Sequence, residues 1–290
     1  FGVLLPVLSQ GKLEPADSFY DSVDSFFGGD VRLVGAGAIA IAALWAIVPG
    51  IFAPHDPYNG VDVALLAPNG EYIFGTDAVG RDLFSRVVYG ARQSLLGAVI
   101  AVAVGLVLGT LIGLIAGTQR GWVDTVLMRL VDVLLAIPGI LLSLSIIIVT
   151  GFGSLQAAFA VGMTSVATFA RLARSQVIQI AGADFVEAAY GSGATQTQVL
   201  FRHVLPNSLT PVLALAALQF GTAILQLSIL GFLGYGAPPP TPEWGLLIAE
   251  GRDFMATAWW LILLPGLAIV ATVMSANHLS QVIQQEGDVK

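Results

Sequence analysis

Long stretches of this chain run without a charged side chain, and those stretches set its layout. Charge-free windows cover residues 33–53, 93–119, 133–170, 204–242 and 254–277. A helix crossing the hydrocarbon core needs about 20 apolar residues. The window over 133–170 holds most of two helices, with Gly151 and Gly153 offering the turn between them. Within 204–242 the span itself falls on 209–230. The pattern predicts an all-α, polytopic membrane protein with six transmembrane helices in a domain over 31–290. An arm over 1–30 precedes it on the cytoplasmic side, apolar over its first eight residues and polar and acidic from Ser9 to Asp30. Strands of a membrane barrel would alternate apolar and polar residues, whereas Gly97 to Val104 is apolar without interruption.

Six spans put both termini on one side, and charge chooses the side. Lys12, Arg32, Arg120, Arg129, Arg171, Arg174, Arg202 and Lys290 fall on one face, and Arg81, Arg86, Arg92 and Arg252 on the other. Eight cations against four make the first face cytoplasmic. Nothing near the start has the charged, apolar and small-residue order of a secretory signal.

Composition removes several function classes. Charged residues are 11% of the chain, against about 25% in soluble domains. With no cysteine and only His55, His203 and His278, thiolate chemistry and a histidine-rich metal site are not expected. A net charge of -7 without a basic run argues against nucleic acid. A phosphate-binding loop needs lysine followed by serine or threonine; Lys12 precedes Leu13 and Lys290 ends the sequence, so ATP chemistry must come from elsewhere. An intramembrane enzyme would need a nucleophile with a base, or ligand-spaced metal donors. Ser143, Ser145 and Ser165 lie in spans, but His203 and His278 fall at span ends. No catalytic, cofactor-binding or metal-ligating residue is assigned.

Small residues recur every fourth position at Gly97, Ala101, Gly105, Gly109, Gly113 and Gly117, a face on which another backbone can approach closely. The alternatives are static packing and a sliding surface. Asp124, Arg129 and Asp132 open the third span; Arg129 and Asp132 are spaced to pair, and Pro138 predicts a kink.

The connection over 171–207 is far longer than the roughly 2–8 residues usual between bundled helices. Helix is predicted over 181–190, broken by Gly191 and Gly193. Thr195 with Gln198 fits a capping box for a second short helix, and Pro206 with Asn207 leads into the fifth span. The result is a helix–glycine–helix knob suited to a cleft on another protein. Glu187-Ala188-Ala189, then Gly193, then His203-Val204-Leu205-Pro206, resembles the EAA motif of the permease subunits of bacterial ATP-binding-cassette importers. The resemblance implies that Glu187, Ala188, Ala189, Gly193, His203 and Pro206 form a loop docking into a cytoplasmic ATPase.

Gly75-Thr76-Asp77-Ala78-Val79-Gly80-Arg81-Asp82 and Leu230-Gly231-Phe232-Leu233-Gly234, with Pro238, Pro239 and Pro242-Glu243-Trp244-Gly245, look like outer segments of the dipeptide, oligopeptide and nickel branch, in its C-type permease. Asp77, Arg81, Asp82, Pro238, Glu243 and Trp244 are candidates for an outer gate or docking surface, with Trp244 and Tyr235 suited to a membrane interface. The resemblance implies a non-catalytic permease of a peptide importer in the bacterial inner membrane. Its partners would be a second, B-type permease, ATPase subunits that bind ATP and Mg, and an extracytoplasmic solute-binding protein. Nickel or glutathione are the alternative cargoes, and a passive channel is the rival that would need no docking knob.

Overall fold

The computed structural model describes residues 31–288; the arm over 1–30 lies outside the described residues. The regular elements there are helical, with one isolated β-type pairing between Thr76 and Asp82. In chain order they are α1 (Val31–Ile47), α2 (Pro49–Phe52), α3 (Leu83–Gln119), α4 (Gly121–Ala136), α5 (Gly139–Thr150), α6 (Ser154–Ala181), α7 (Asp184–Gly191), α8 (Gln196–Val199), α9 (Leu205–Phe232), α10 (Trp244–Gly251) and α11 (Trp260–Asp288). A π turn over Leu200–Val204 joins α8 to α9 without a break.

Four helical runs are long and apolar enough to cross a bilayer: α3, α6, the run Gln196–Phe232 and α11. Helices α4 and α5 supply a fifth span if the broken pair counts as one, and α1 is a shorter apolar helix. The six expected spans thus reduce to four plain ones, one broken pair and one short helix. The expected kink at Pro138 is a break of 98°. Proline lacks the N–H that would continue α4, and it forces the preceding residue out of the helical region; Ile137 is extended, at φ -90° and ψ 127°.

Helices α3 and α6 form the spine. A Cβ placed on Gly105 would lie 2.7 Å from Ser165 Cβ, on Gly109 2.5 Å from Phe169 Cβ, on Gly113 2.5 Å from the Ala170 carbonyl, and on Gly117 2.7 Å from Val177. The partners advance in step with the glycines, so the two helices run parallel in a fixed register. Gly162 of α6 returns the contact, 2.7 Å from the Ala101 carbonyl. Glycines meet backbone on both sides, so the stripe is a close-packed helix–helix contact. Above it, Gly97 turns to Leu227 of α9.

At 37 residues, α3 is about 55 Å long, well beyond the roughly 30 Å hydrocarbon core. Parallel α3 and α6 place the 53–82 connection at one end of the molecule and α7 and α8 at the other.

Candidate functional site

At the end beyond α6, α7 and α8 make the compact hairpin foreseen in the connection 171–207. Helix α6 stops at Ala181, and α7 begins at Asp184 rather than continuing from it. The hairpin has its own small core of Val177, Val186, Val199 and Val204, packed against Leu114 of α3. Gly193 turns the chain at φ +87°, a conformation a side chain would strain. The N–H groups of Ser192, Gly193 and Ala194 donate back to the carbonyls of Ala188, Tyr190 and Ala189. Thr195 and Gln198 close the capping box that starts α8.

Glu187, Ala188, Gly193 and Pro206 are exposed, while Ala189 and His203 are half-buried. A Cβ on Gly193 would meet nothing, so the turn is open to the surroundings. Three aromatic side chains absent from the motif stand exposed on the same element: Phe185, Tyr190 and Phe201, the last at 60%. A concavity of about 430 Å³ is lined by Ala194, Gln198, Phe201, Arg202 and His203. Exposed aromatics beside a small-residue turn are what a protein partner grips. Sequence spacing misses them, because it does not say which side of α7 the valines occupy.

Nearby, Asp124 of α4 accepts two hydrogen bonds from the Arg174 guanidinium of α6, at 2.5 and 2.6 Å. Asp132 accepts from Arg171 at 2.8 Å. This corrects the expected Arg129–Asp132 pair. Val131 buries against Ala167 and Ala170, which turns Asp132 toward α6 and leaves Arg129 exposed on the other side.

At the opposite end, the 53–82 connection folds into a braced loop. Thr76 is fully buried; its hydroxyl donates to the Val63 carbonyl and accepts from the Leu66 N–H. Asp82 caps α3 by accepting from the Ser85 N–H and hydroxyl. Arg86 has no exposed surface and donates to Asp77 at 2.6 Å and Glu250 of α10 at 2.7 Å. Arg81 adds a 2.6 Å bond to the same Asp77 oxygen. Burial pushes the Asp77 carboxyl up, but N–H donors from Arg81 and Val79 and the Arg86 and Arg81 charges outweigh it. Asp77 is held below the usual carboxylate range.

The connection over 233–259 is equally built in. Trp244 is 0% exposed, and its indole N–H donates to the Val87 carbonyl at 2.9 Å. The expectation that Trp244 sits at a membrane interface is therefore corrected: it fills the core between α3 and α10, and its ring crowds Gly90. Glu243 is buried over Gly231 and Gly236, where a side chain would strike its carboxylate, and it accepts from the Ala237 N–H at 2.7 Å. Burial without a cation pushes this carboxyl up. Of the six outer candidates, Asp77, Asp82, Glu243 and Trp244 are buried and Arg81 is turned into its ion pair; Pro238 alone is exposed. The buried ones hold this end of the molecule together from within.

Comparison with known proteins adds to this geometry. A family described as "Binding-protein-dependent transport system inner membrane component" matches residues 109–285. The chain is 42% identical over 262 residues to the dipeptide transport system permease protein DppC of Alkalihalophilus pseudofirmus, covering 90% of this chain and 85% of that protein. It is 41% identical over 262 residues to the glutathione transport system permease protein GsiD of Salmonella typhimurium, covering 90% and 86%. The di/tripeptide permease DppC of Pseudomonas aeruginosa is 38% identical over 283 residues, covering 95% and 92%. Among solved structures, the inward-facing MetNI methionine ABC transporter aligns with a TM-score of 0.54 at 20% identity, over 70% of this chain and 93% of that one. An amino acid ABC transporter aligns at 0.55 and 15% identity, over 69% and 94%.

Proposed function

The chain belongs to the binding-protein-dependent transport system inner membrane components, and from that premise we propose how it works within a peptide importer. It is a permease subunit carrying short peptides across the bacterial inner membrane, in keeping with its dipeptide and di/tripeptide relatives. Glutathione is itself a small peptide, so the glutathione permeases fit the same substrate class.

The observation that carries the mechanism is the open glycine turn between α7 and α8, at the far end of the spine from the braced loop. In this reading Glu187 to Gly193, with Phe185, Tyr190 and Phe201 around them, seats in a cleft of a cytoplasmic ATPase that binds ATP and Mg. The termini share that cytoplasmic side. Closure of the ATPase pushes the hairpin, and the interlocked α3 and α6 carry the push outward as a rigid pair. The break at Ile137–Pro138 is the joint about which α4 and α5 yield. The exposed apolar side chains of those two helices, Trp122, Val126, Leu130, Val133, Ile148 and Val149, suit lipid and a second permease with which the path is formed.

Gly193→Trp and Glu187→Arg test this directly. Both variants are expected to reach the membrane and pair with the second permease, while ATP hydrolysis no longer drives uptake of a labelled dipeptide. Normal uptake with normal ATPase binding in both would refute the docking assignment. Competition of that uptake by glutathione or nickel would fix the cargo.

A further inference from the structure

Neutral polar side chains interrupt the apolar spans where the broken helix pair meets α6 and α9. Gln226 of α9 and Thr164 of α6 are both half-buried, and the Thr164 hydroxyl lies 3.3 Å from Gln226 Oε1. A Cβ placed on Gly139, the first residue of α5, would come 3.5 Å from Gln226 Nε2 and 3.9 Å from Thr164 Cβ. The glutamine amide thus bridges from α6 to the break between α4 and α5. Thr164 lies about 15 Å along α6 from Ser154, half the roughly 30 Å depth of the hydrocarbon core. Gln219 and Thr222 continue the stripe on the same face of α9, and Thr168 continues it on α6, at three- and four-residue spacings. None of these side chains is fully buried, and Thr222 is exposed.

The helix break makes a second, independent demand at the same point. Irregular backbone at membrane depth persists only where protein buries it or water reaches it, and this chain leaves the break uncovered. Ile137 is 39% exposed, and Pro138 is exposed beside it. The Ile137 N–H reaches the Leu134 carbonyl only at 3.4 Å, and the last carbonyls of α4 have no following turn to bond them. Polar side chains within a span likewise face protein or a water-filled cavity. Lipid satisfies neither demand. We propose that the peptide path passes this point and that Gln226, held in place by Thr164, is a specificity-determining contact to the cargo. Gln226 Nε2 donates to the carbonyl of the cargo's peptide bond, and the freed carbonyls at the end of α4 accept from its N–H. A donor beside acceptors matches the one group every short peptide shares, so the contact is indifferent to cargo side chains. Neutral partners also hold weakly enough to let the cargo leave. The proposal rests on the importer reading above and names the groups that touch its cargo.

The test uses the complete importer in lipid vesicles with its purified solute-binding protein, and compares uptake of a labelled dipeptide with that of its thioamide analogue. Sulfur in place of the peptide oxygen is a weaker acceptor, and the solute-binding protein's own preference is common to every variant. Gln226→Leu is expected to slow dipeptide uptake and to narrow its advantage over the thioamide by about three- to tenfold, the loss of one hydrogen bond. Thr164→Val is expected to move the ratio the same way, and Thr164→Ser, which keeps the hydroxyl, to restore it. The chain has no cysteine, so Gln226→Cys and Thr222→Cys report on water. Both are expected to react with a charged thiol reagent, and dipeptide to slow the reaction at position 226. An unchanged ratio in Gln226→Leu and Thr164→Val would overturn the assignment, as would no labelling at position 226 throughout the ATP cycle. Loss of the second permease from Gln226→Leu would also overturn it, since the stripe would then be a subunit contact. A wild-type complex that carried no peptide would sink the importer reading itself, which is a separate result.

Discussion

At the scale of single residues, burial decides what a charge is for. Arg86 has no exposed surface, and its cation is neutralised by Asp77 and Glu250. Removing one member of a buried pair leaves the others uncompensated, at a cost of roughly 3–5 kcal/mol; solvent reaching Glu250 lowers that figure here. Arg86→Leu should therefore loosen the 53–82 loop, read as faster proteolytic nicking within it, and adding Asp77→Asn should recover part of the loss. Asp77 has a depressed pKa, so it binds fewer protons folded than unfolded. Its stabilisation is present above the ordinary carboxylate range and disappears as pH falls through the folded value. Glu243 has the opposite sign. Its raised pKa means stability is full below the unfolded value and declines as pH rises through the folded one. Glu243→Gln, neutral at every pH, should raise the thermal midpoint at pH 8 more than at pH 5; equal shifts would contradict a buried carboxyl lacking a cation.

At the scale of elements, the same physics separates rigid contacts from marginal ones. The α3–α6 interface is built from glycines whose missing side chains let backbone touch backbone. Gly109→Leu would drive a side chain into Phe169 and the Val166 carbonyl, and is expected to abolish assembly. Gly121→Ala is the control. It faces open space, and its positive φ costs only local strain, so assembly should survive. The hairpin depends on four valines and one cap. Thr195→Ala removes the capping box at a cost of about 1 kcal/mol, and amide exchange over 184–199 should quicken while α3 and α6 are unaffected.

At the scale of the molecule, α3 is continuous from the braced loop to the level of the hairpin. In the proposed mechanism its length and its register with α6 make the 53–82 loop, the spine and the hairpin one body, with freedom left at the α4–α5 break. The chain has no cysteine, so paired labels can be placed without background. A pair at positions 71 and 192 should keep its separation through the ATP cycle, whereas a pair at 141 and 192 should not. A changing 71–192 distance would show that the spine flexes.

Charge-free windows and capping chemistry determined a good deal without any fold. They gave the helical membrane class, the approximate spans and the glycine-hinged hairpin with its Thr195 cap. These are local properties, written in consecutive residues. Tertiary structure alone decided which side chains are available. Trp244, Asp77 and Glu243 read as surface groups by residue type, yet they are interior, because α10 folds back between α3, α9 and α11. Asp132 prefers Arg171 to its helix neighbour Arg129, because packing of Val131 fixes the rotation of α4. Local sequence does not encode which neighbour arrives from a distant segment. For that reason the chemistry of the end built from 53–82 and 233–259 became legible only when the helices were put together.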